Sequence, residues 1–300
     1  MMKKFLYSIL GFSILLLFVF VVADYFYSRL LSKKNSANLE IWREVIEGKA
    51  SADIVVSGDS RVNSDFFPDV IDSITGHSVY DLGEVGHHYN VQRIRLKVFR
   101  EFNEKPLLLV QTVDNWLFMK EIPIFDREQL LPWMWNRVFR RVAFQSEPLF
   151  FLSHSFPLLR YIGHKEKHYS SRETEKGFLI RNRMAPFQSI MNPFPIGFSC
   201  DKKNSGRFQD DFRELVDEGI TVIFVIPPMH ESLVFAHGEK QKMVDYFKSV
   251  AEERKIPFLD YSEMFRSDST KFNDETHLNL IGARSFSDSL ANDILRLGLL

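Results

Sequence analysis

Two short segments near opposite ends of the chain carry the residues best suited to chemistry. Asp53-Ile54-Val55-Val56-Ser57-Gly58-Asp59-Ser60-Arg61 reads as a buried strand running into a tight Gly-Asp-Ser turn. Asp274-Glu275-Thr276-His277-Leu278-Asn279 places a carboxylate three residues before an imidazole. A serine hydroxyl is a poor nucleophile until a base takes its proton. A histidine can be that base, with an aspartate orienting its ring and stabilising the imidazolium. Ser60, His277 and Asp274 are therefore the candidate nucleophile, base and orienting acid of an acyl-transfer site. Each also has a plainer reading: Ser60 as a helix N-cap, His277 as a surface residue of a first helical turn. Their chain order and their positions relative to strands favour catalysis.

An oxyanion developing on a substrate needs hydrogen-bond donors. The candidates are the backbone N–H groups of Ser60 and Gly86 and the side-chain amide of Asn115. Gly86 allows close backbone approach, and reads equally well as an ordinary turn glycine. Asn115 reads alternatively as a helix cap, with Asp114 beside it as the polar group that matters. Arg61, Asp114 and His230 are weaker candidates for lining the substrate pocket. Arg61 alternatively pairs with a nearby carboxylate, and His230 alternatively is a loop histidine. His87 and His88 are adjacent, so their side chains diverge in extended structure. There is no H-x-x-x-H spacing, carboxylate-rich loop, phosphate loop or dinucleotide fingerprint, so no metal or cofactor is expected.

These residues must be positioned by a folded domain, and the composition allows one. The chain has 300 residues, 45% hydrophobic and 26% charged, as in globular proteins. A formal net charge of −1 supplies no global field towards nucleic acid. A single cysteine, Cys200, excludes an internal disulfide framework. Phe is abundant at 29 residues, which implies either an aromatic-lined surface or a Phe-rich core.

Phe5–Ala23 carries no charge and as a helix would be about 28 Å long, close to the hydrocarbon thickness of a bilayer. Lys3 and Lys4 precede it, which favours an N-terminus inside and the remainder outside. The expectation is a single-pass anchor over residues 1–24 in the cytoplasmic membrane, with a periplasmic or extracellular domain. The alternative is a cleaved signal peptide, and the length of the apolar run favours retention. Residues 25–50 read as a juxtamembrane connector helix, with Leu39, Trp42 and Ile46 at helical spacing.

Residues 51–300 read as one domain. Strands are expected at 53–57, 77–82, 107–111, 221–226 and 257–261, with helices near 67–75, 89–103, 204–218, 238–254 and 279–297. Strand–helix alternation with nearly continuous apolar strands predicts a three-layer α/β/α sandwich around a parallel sheet of about five strands. In such sheets ligands bind at the carboxyl ends of the strands, and Ser60, Gly86, Asn115 and His230 all fall just beyond predicted strand ends. The alternation stops at about 116–203, a helical insertion with expected helices at 127–142 and 145–161 and a basic polar loop at 163–183. Trp116, Trp133 and Trp135 there read as a stacking surface for sugars or a partner, or as the insertion's own core.

At these residues the chain resembles the SGNH/GDSL hydrolase superfamily. Gly58-Asp59-Ser60 resembles its first block, Gly86 its second-block glycine, and Asp274-Glu275-Thr276-His277 its fifth-block D-x-x-H. The third block usually reads Gly-x-Asn-Asp, and Thr112-Val113-Asp114-Asn115 departs from it. The resemblance covers about 53–115 and 204–297. It implies a serine esterase or O-acyltransferase working through an acyl-enzyme. The anchored layout is similar to members that move acyl groups on exported polysaccharides, often beside a multi-span membrane acyltransferase. That resemblance implies an acylated glycan or other cell-surface polymer as substrate. The competing expectation is an inactive glycan-binding or partner-docking protein of the cell envelope.

Overall fold

The computed structural model describes all residues except 1, 35, 87, 119–128, 163–173, 180–186 and 190–194. Five apolar runs form one parallel sheet: β1 (Ile54–Gly58), β2 (Val79–Gly83), β3 (Leu108–Thr112), β6 (Thr221–Ile226) and β7 (Phe258–Asp260). Their spatial order is β2-β1-β3-β6-β7. The strand order reverses between β1 and β3, which opens a crevice at the carboxyl ends of these two strands.

Alternate residues of each strand feed opposite layers. Val55, Leu109, Phe224 and Ile226 pack with α2 (Ala37–Ile46), α5 (Tyr89–Phe102), α8 (Lys202–Asp217) and α9 (Glu239–Arg254). Ile54, Val56, Val110 and Val225 pack with α4 (Pro68–Thr75) and α10 (Leu280–Arg296). This is the expected α/β/α sandwich. Part of the abundant Phe is core: Phe208, Phe212, Phe224 and Phe247 are fully buried and touch edge-on or tilted.

The apolar N-terminal run and the first part of the connector form one helix, α1 (Met2–Leu31), whose most apolar 18-residue stretch has a mean hydropathy of 2.7 and which is long enough to cross a membrane. The chain breaks after Leu31 and resumes as α2. In the insertion, one expected helix is a 3₁₀ turn at Leu131–Trp135 followed by α6 (Arg137–Ser146). Pro132 opens the 3₁₀ turn and Asn136 caps α6, its side chain accepting from Phe139 N–H at 3.0 Å. The second is only α7 (Pro148–Ser153) and a short 3₁₀ turn at Leu159–Tyr161. Pro157 separates these two pieces and prevents a continuous helix.

The expectation of a loop over 163–183 is corrected for its described residues. Thr174–Glu175 (β4) and Phe178–Leu179 (β5) form a hairpin. Strands of two residues carry no alternation to read. The turn glycine Gly177 has φ +81°, and a Cβ there would lie 1.9 Å from the Asp81 carbonyl oxygen. The hairpin is thus seated on β2, with Asp81 N–H donating to the Lys176 carbonyl at 2.9 Å.

Gly58 is the tightest point at the carboxyl edge of the sheet. A Cβ there would lie 1.8 Å from Thr112 Oγ1 and 2.8 Å from Val62 Cγ2. Gly58→Ala should cost about 1–3 kcal/mol through overpacking, and adding Thr112→Ala should recover part of the loss. Urea denaturation of the two variants checks this; an unchanged midpoint in Gly58→Ala would contradict the packing argument.

Candidate active site

β1 ends at Gly58, and the chain turns at once into the one-turn helix α3 (Val62–Asp65). Val62 N–H donates to the Asp59 carbonyl at 3.2 Å, and Ser64 Oγ donates to the Ser60 carbonyl at 2.9 Å. These bonds hold Ser60 on a tight strand-to-helix turn. The partner loop at 273–279 is closed by Asn273 N–H donating to the His277 carbonyl at 2.8 Å. Asp274 Oδ1 accepts from the backbone N–H groups of Thr276 and His277, each at 2.9 Å. The sequence spacing D-x-x-H is thereby an Asx-type turn that aims both side chains one way.

Across 217 residues of sequence, Ser60 Oγ and His277 Nε2 come within 2.9 Å. His277 Nδ1 lies 2.9 Å from both oxygens of Asp274. With Asp274 ionised, Nδ1 carries the proton and Nε2 accepts from the serine hydroxyl. Burial opposes charge on Asp274, but the His277 bond and charge and two backbone N–H groups outweigh it and hold the carboxyl below its usual range. Burial also pushes the His277 pKa down. The Asp274 hydrogen bond and charge, with Asp65 and Asp59 adding theirs, overcome this and leave it above the ordinary imidazole value. Such a chain can take a proton from a hydroxyl and store it as an ion pair.

Asp65 joins the two halves and carries no sequence signal of its own. It is fully buried, and its Oδ1 accepts from Leu278 N–H at 2.9 Å. The last residue of α3 thus holds the loop that carries His277. His230 braces that loop from the other side, its N–H donating to the Glu275 carbonyl at 3.0 Å. Its Nδ1 bonds Ser232 Oγ at 2.7 Å and its ring lies 4.5 Å from that of Phe187. These contacts make His230 a support of the loop, and it also lines an open cleft with Met229 and Leu233.

Arg61 and Asp114, the other two pocket-lining candidates, pair with each other. Both are about 1% exposed, and Arg61 Nη2 donates to Asp114 Oδ2. Arg61 Nε reaches both oxygens of Asp59 at 3.3 Å, and Trp116 N–H donates to Asp114 Oδ1 at 2.6 Å. Burial raises the Asp114 pKa, Arg61 pulls it back, and the adjacent Asp59 carboxylate pushes it up again, to about 7. The alternative that Arg61 pairs with a nearby carboxylate is the one observed. Its guanidinium fastens the turn after β1 to the turn after β3.

Asn115, like Ser60, lies just beyond the carboxyl end of its strand. Ser57 of β1 lies opposite Gln111 of β3, so Ser60 and Asn115 leave neighbouring strands at the same edge. The Asn115 side chain is buried, and its Nδ2 and Oδ1 have no hydrogen-bond partner among the described residues. A buried amide without partners is costly, unless a ligand supplies them. Gly86 lies in the turn after β2 with φ +73°, a conformation that favours glycine. Glu84 N–H donates to the Gly58 carbonyl at 2.9 Å, which ties that turn to the nucleophile's strand.

His88 has no signal in the sequence beyond its pairing with His87. Its Nδ1 bonds the Trp116 carbonyl at 2.7 Å, and its buried Nε2 has no partner among the described residues. Burial lowers its pKa despite the Trp116 bond and the charge of Asp59. His87 lies outside the described residues. Among the described residues no cluster of three His, Cys, Asp or Glu could hold a metal. Of the tryptophans, Trp133 is buried in the insertion, Trp116 is half-buried, and Trp135 is directed at α1, its Nε1 donating to Asp24 Oδ2 at 2.6 Å.

No family model matches the chain, and none of the curated proteins matches it in sequence. Among solved structures it is similar to a family two carbohydrate esterase from Clostridium thermocellum. The identity is 10% and the TM-score 0.41, with 82% of this chain and 65% of that one covered. It is similar to the native aryl esterase of M. smegmatis at 14% identity and TM-score 0.39, covering 81% and 98%. It is also similar to a carbohydrate acetylesterase family member from Sinorhizobium meliloti at 12% identity and TM-score 0.37, covering 82% and 98%. At these values the reading of the site rests on its own geometry.

Arg61→Met should destabilise the fold by about 3–5 kcal/mol, because it strands buried Asp114 and half-buried Asp59 without their cation. Both carboxyls would then titrate above their unfolded values. The folded variant would hold more protons, and its stability would fall as pH rises. Denaturation at pH 5 and pH 8 checks this: the deficit relative to the parent chain should be larger at pH 8.

Proposed function

We propose that this chain is a membrane-anchored serine esterase or O-acyltransferase that works through an acyl-enzyme on an exported, acylated glycan. One observation carries the reading: the hydrogen-bonded series Ser60–His277–Asp274 at the carboxyl edge of a parallel sheet.

In this reading Ser60 Oγ attacks the ester carbonyl as its proton passes to His277 Nε2. Asp274 stabilises the resulting imidazolium. The carbonyl oxygen, now negative, is received by the N–H groups of Ser60 and Gly86 and by Asn115 Nδ2. The unpartnered Asn115 amide supports that assignment. Collapse of the intermediate expels the alcohol, which leaves with the proton from His277, and the acyl group stays on Ser60. A second hydroxyl then gives its proton to His277 and takes the acyl group. Water makes the reaction hydrolysis, and a sugar hydroxyl makes it transfer. Lys3 and Lys4 before the apolar run support an inside N-terminus and an outside domain. A transferase there would need its acyl groups delivered across the bilayer by a separate multi-span protein.

A fluorophosphonate probe should label the full-length chain at Ser60, and Ser60→Ala and His277→Ala should each abolish labelling while the domain stays folded. Turnover of a model acetyl ester should fall about 10²–10³-fold in Asn115→Ala. A folded chain that is never labelled would sink the enzyme reading and favour a glycan-binding or docking protein.

The pH profile gives an independent check. Only neutral His277 accepts a proton, so activity should fall as pH drops through its raised pKa. Asp274→Asn removes the main charge that raises it. Its residual activity, reduced about 10⁴-fold, should lose its acid limb at a lower pH than the parent.

A further inference from the structure

The apolar run of α1 ends at Ala23, and the next residue, Asp24, is fully buried. The insertion claims its carboxylate. Asp24 Oδ1 accepts from Leu158 N–H at 2.8 Å and from Arg160 Nε at 2.9 Å. Asp24 Oδ2 accepts from Trp135 Nε1 at 2.6 Å and from Arg160 Nη2. The contact continues along α1: the ring centroids of Tyr25 and Trp135 are 5.6 Å apart and those of Tyr27 and Tyr161 are 4.6 Å apart. Ser28 Oγ and Tyr161 OH are 2.7 Å apart. Asp24 to Ser28 is about 6 Å of helix, so residues 135 and 158–161 are held at the level where the hydrocarbon run stops. Where α1 crosses a bilayer, that level is the membrane–water boundary, which Trp and Tyr favour.

The same part of the insertion exposes large apolar side chains. Leu149 is 80% exposed, Leu152 62%, Phe156 50%, Leu159 50% and Ile162 69%. Leu159 lies between Leu158 and Arg160, the two residues bonded to Asp24. On α1 itself Phe26 and Leu30 are 61% and 69% exposed, which continues an apolar surface beyond the run. Arg140 holds its guanidinium 5.7 Å from the Phe151 ring and sets a cation beside α7. Exposed apolar groups at this density mark an interaction surface.

We propose that the face formed by residues 149–162 is a second membrane contact. It lies in the headgroup–acyl boundary of the leaflet from which α1 emerges, as an interfacial element. The inference rests on the reading of α1 as a retained anchor. Continuity selects lipid as the occupant: the face begins at the residues that clamp the first helix position past the hydrocarbon run. Two contacts, one spanning and one interfacial, fix the tilt of the α/β domain over the bilayer, where a helix alone would leave it free to swing.

The test uses the full-length chain in phosphatidylcholine vesicles. Cys200→Ser removes the one native thiol, and single cysteines are placed at exposed positions by Leu152→Cys, Ile162→Cys, Leu16→Cys or Asp288→Cys. Each carries an environment-sensitive fluorophore, with circular dichroism confirming the fold. Lipids bearing a nitroxide near the headgroup should quench and blue-shift the labels at 152 and 162. Lipids with a deep nitroxide should quench the label at 16, and neither should quench the label at 288. Quenching at 16 with none at 152 and 162 would overturn the inference while leaving the anchor intact, and would point to a protein partner or water on that face. No quenching at 16 would remove the anchor reading, and the inference with it.

Discussion

One guanidinium holds the candidate site together. Arg61 is buried beneath the turn that carries Ser60, and it is claimed by Asp59 on its own turn and by Asp114 on the turn after β3. Parallel strands end in loops that have no covalent reason to stay close, because each leads into its own crossover. The Arg61–Asp114 pair supplies that reason at the point where the strand order reverses. A buried ion pair of this kind is weak evidence for net stability, since desolvation offsets much of the attraction. What it supplies here is geometry, through several donors and acceptors that are satisfied in only one arrangement.

Asp65 extends the same logic to the histidine loop. A carboxylate at the end of α3 accepts from Leu278 N–H, so the helix after Ser60 and the loop that carries His277 share a hydrogen bond as well as the Ser60–His277 contact. The loop is further held from behind by His230. Supporting bonds of this sort lock the rotamers on which a proton transfer depends, and small displacements of reacting groups are expensive in rate. The buried amide of Asn115 has no hydrogen-bond partner among the described residues. A ligand's acceptor is favoured at such an unmet buried donor.

The insertion solves a different problem. Asp24 fixes α1 against the insertion. A carboxylate directly after a hydrocarbon-length run would ordinarily sit in water. Here it is bonded by Trp135, Leu158 and Arg160, so α1 and the insertion behave as one piece. The cost of burying Asp24 is met by charge-assisted hydrogen bonds from a rigid planar donor.

Much of this architecture is legible in the residue order. Five apolar runs, spaced by helical patterns, are sufficient for a parallel sheet with covered faces, because crossover handedness and strand burial leave few other solutions. The Gly-Asp-Ser turn and the D-x-x-H spacing are legible because each is local, and its geometry depends on a few adjacent bonds. Which polar residues face a substrate and which face one another is not local. Arg61, Asp114 and His230 look alike in sequence as residues after strand ends. Their roles are decided by partners 53 residues away in the case of Asp114, and by the Asp274–His277 loop in the case of His230. The hairpin at 174–179, the linking role of Asp65 and the capture of Asp24 by the insertion are likewise set only by tertiary contact. Periodicity reports which face of an element is apolar, whereas a buried hydrogen bond between distant segments leaves no periodic trace.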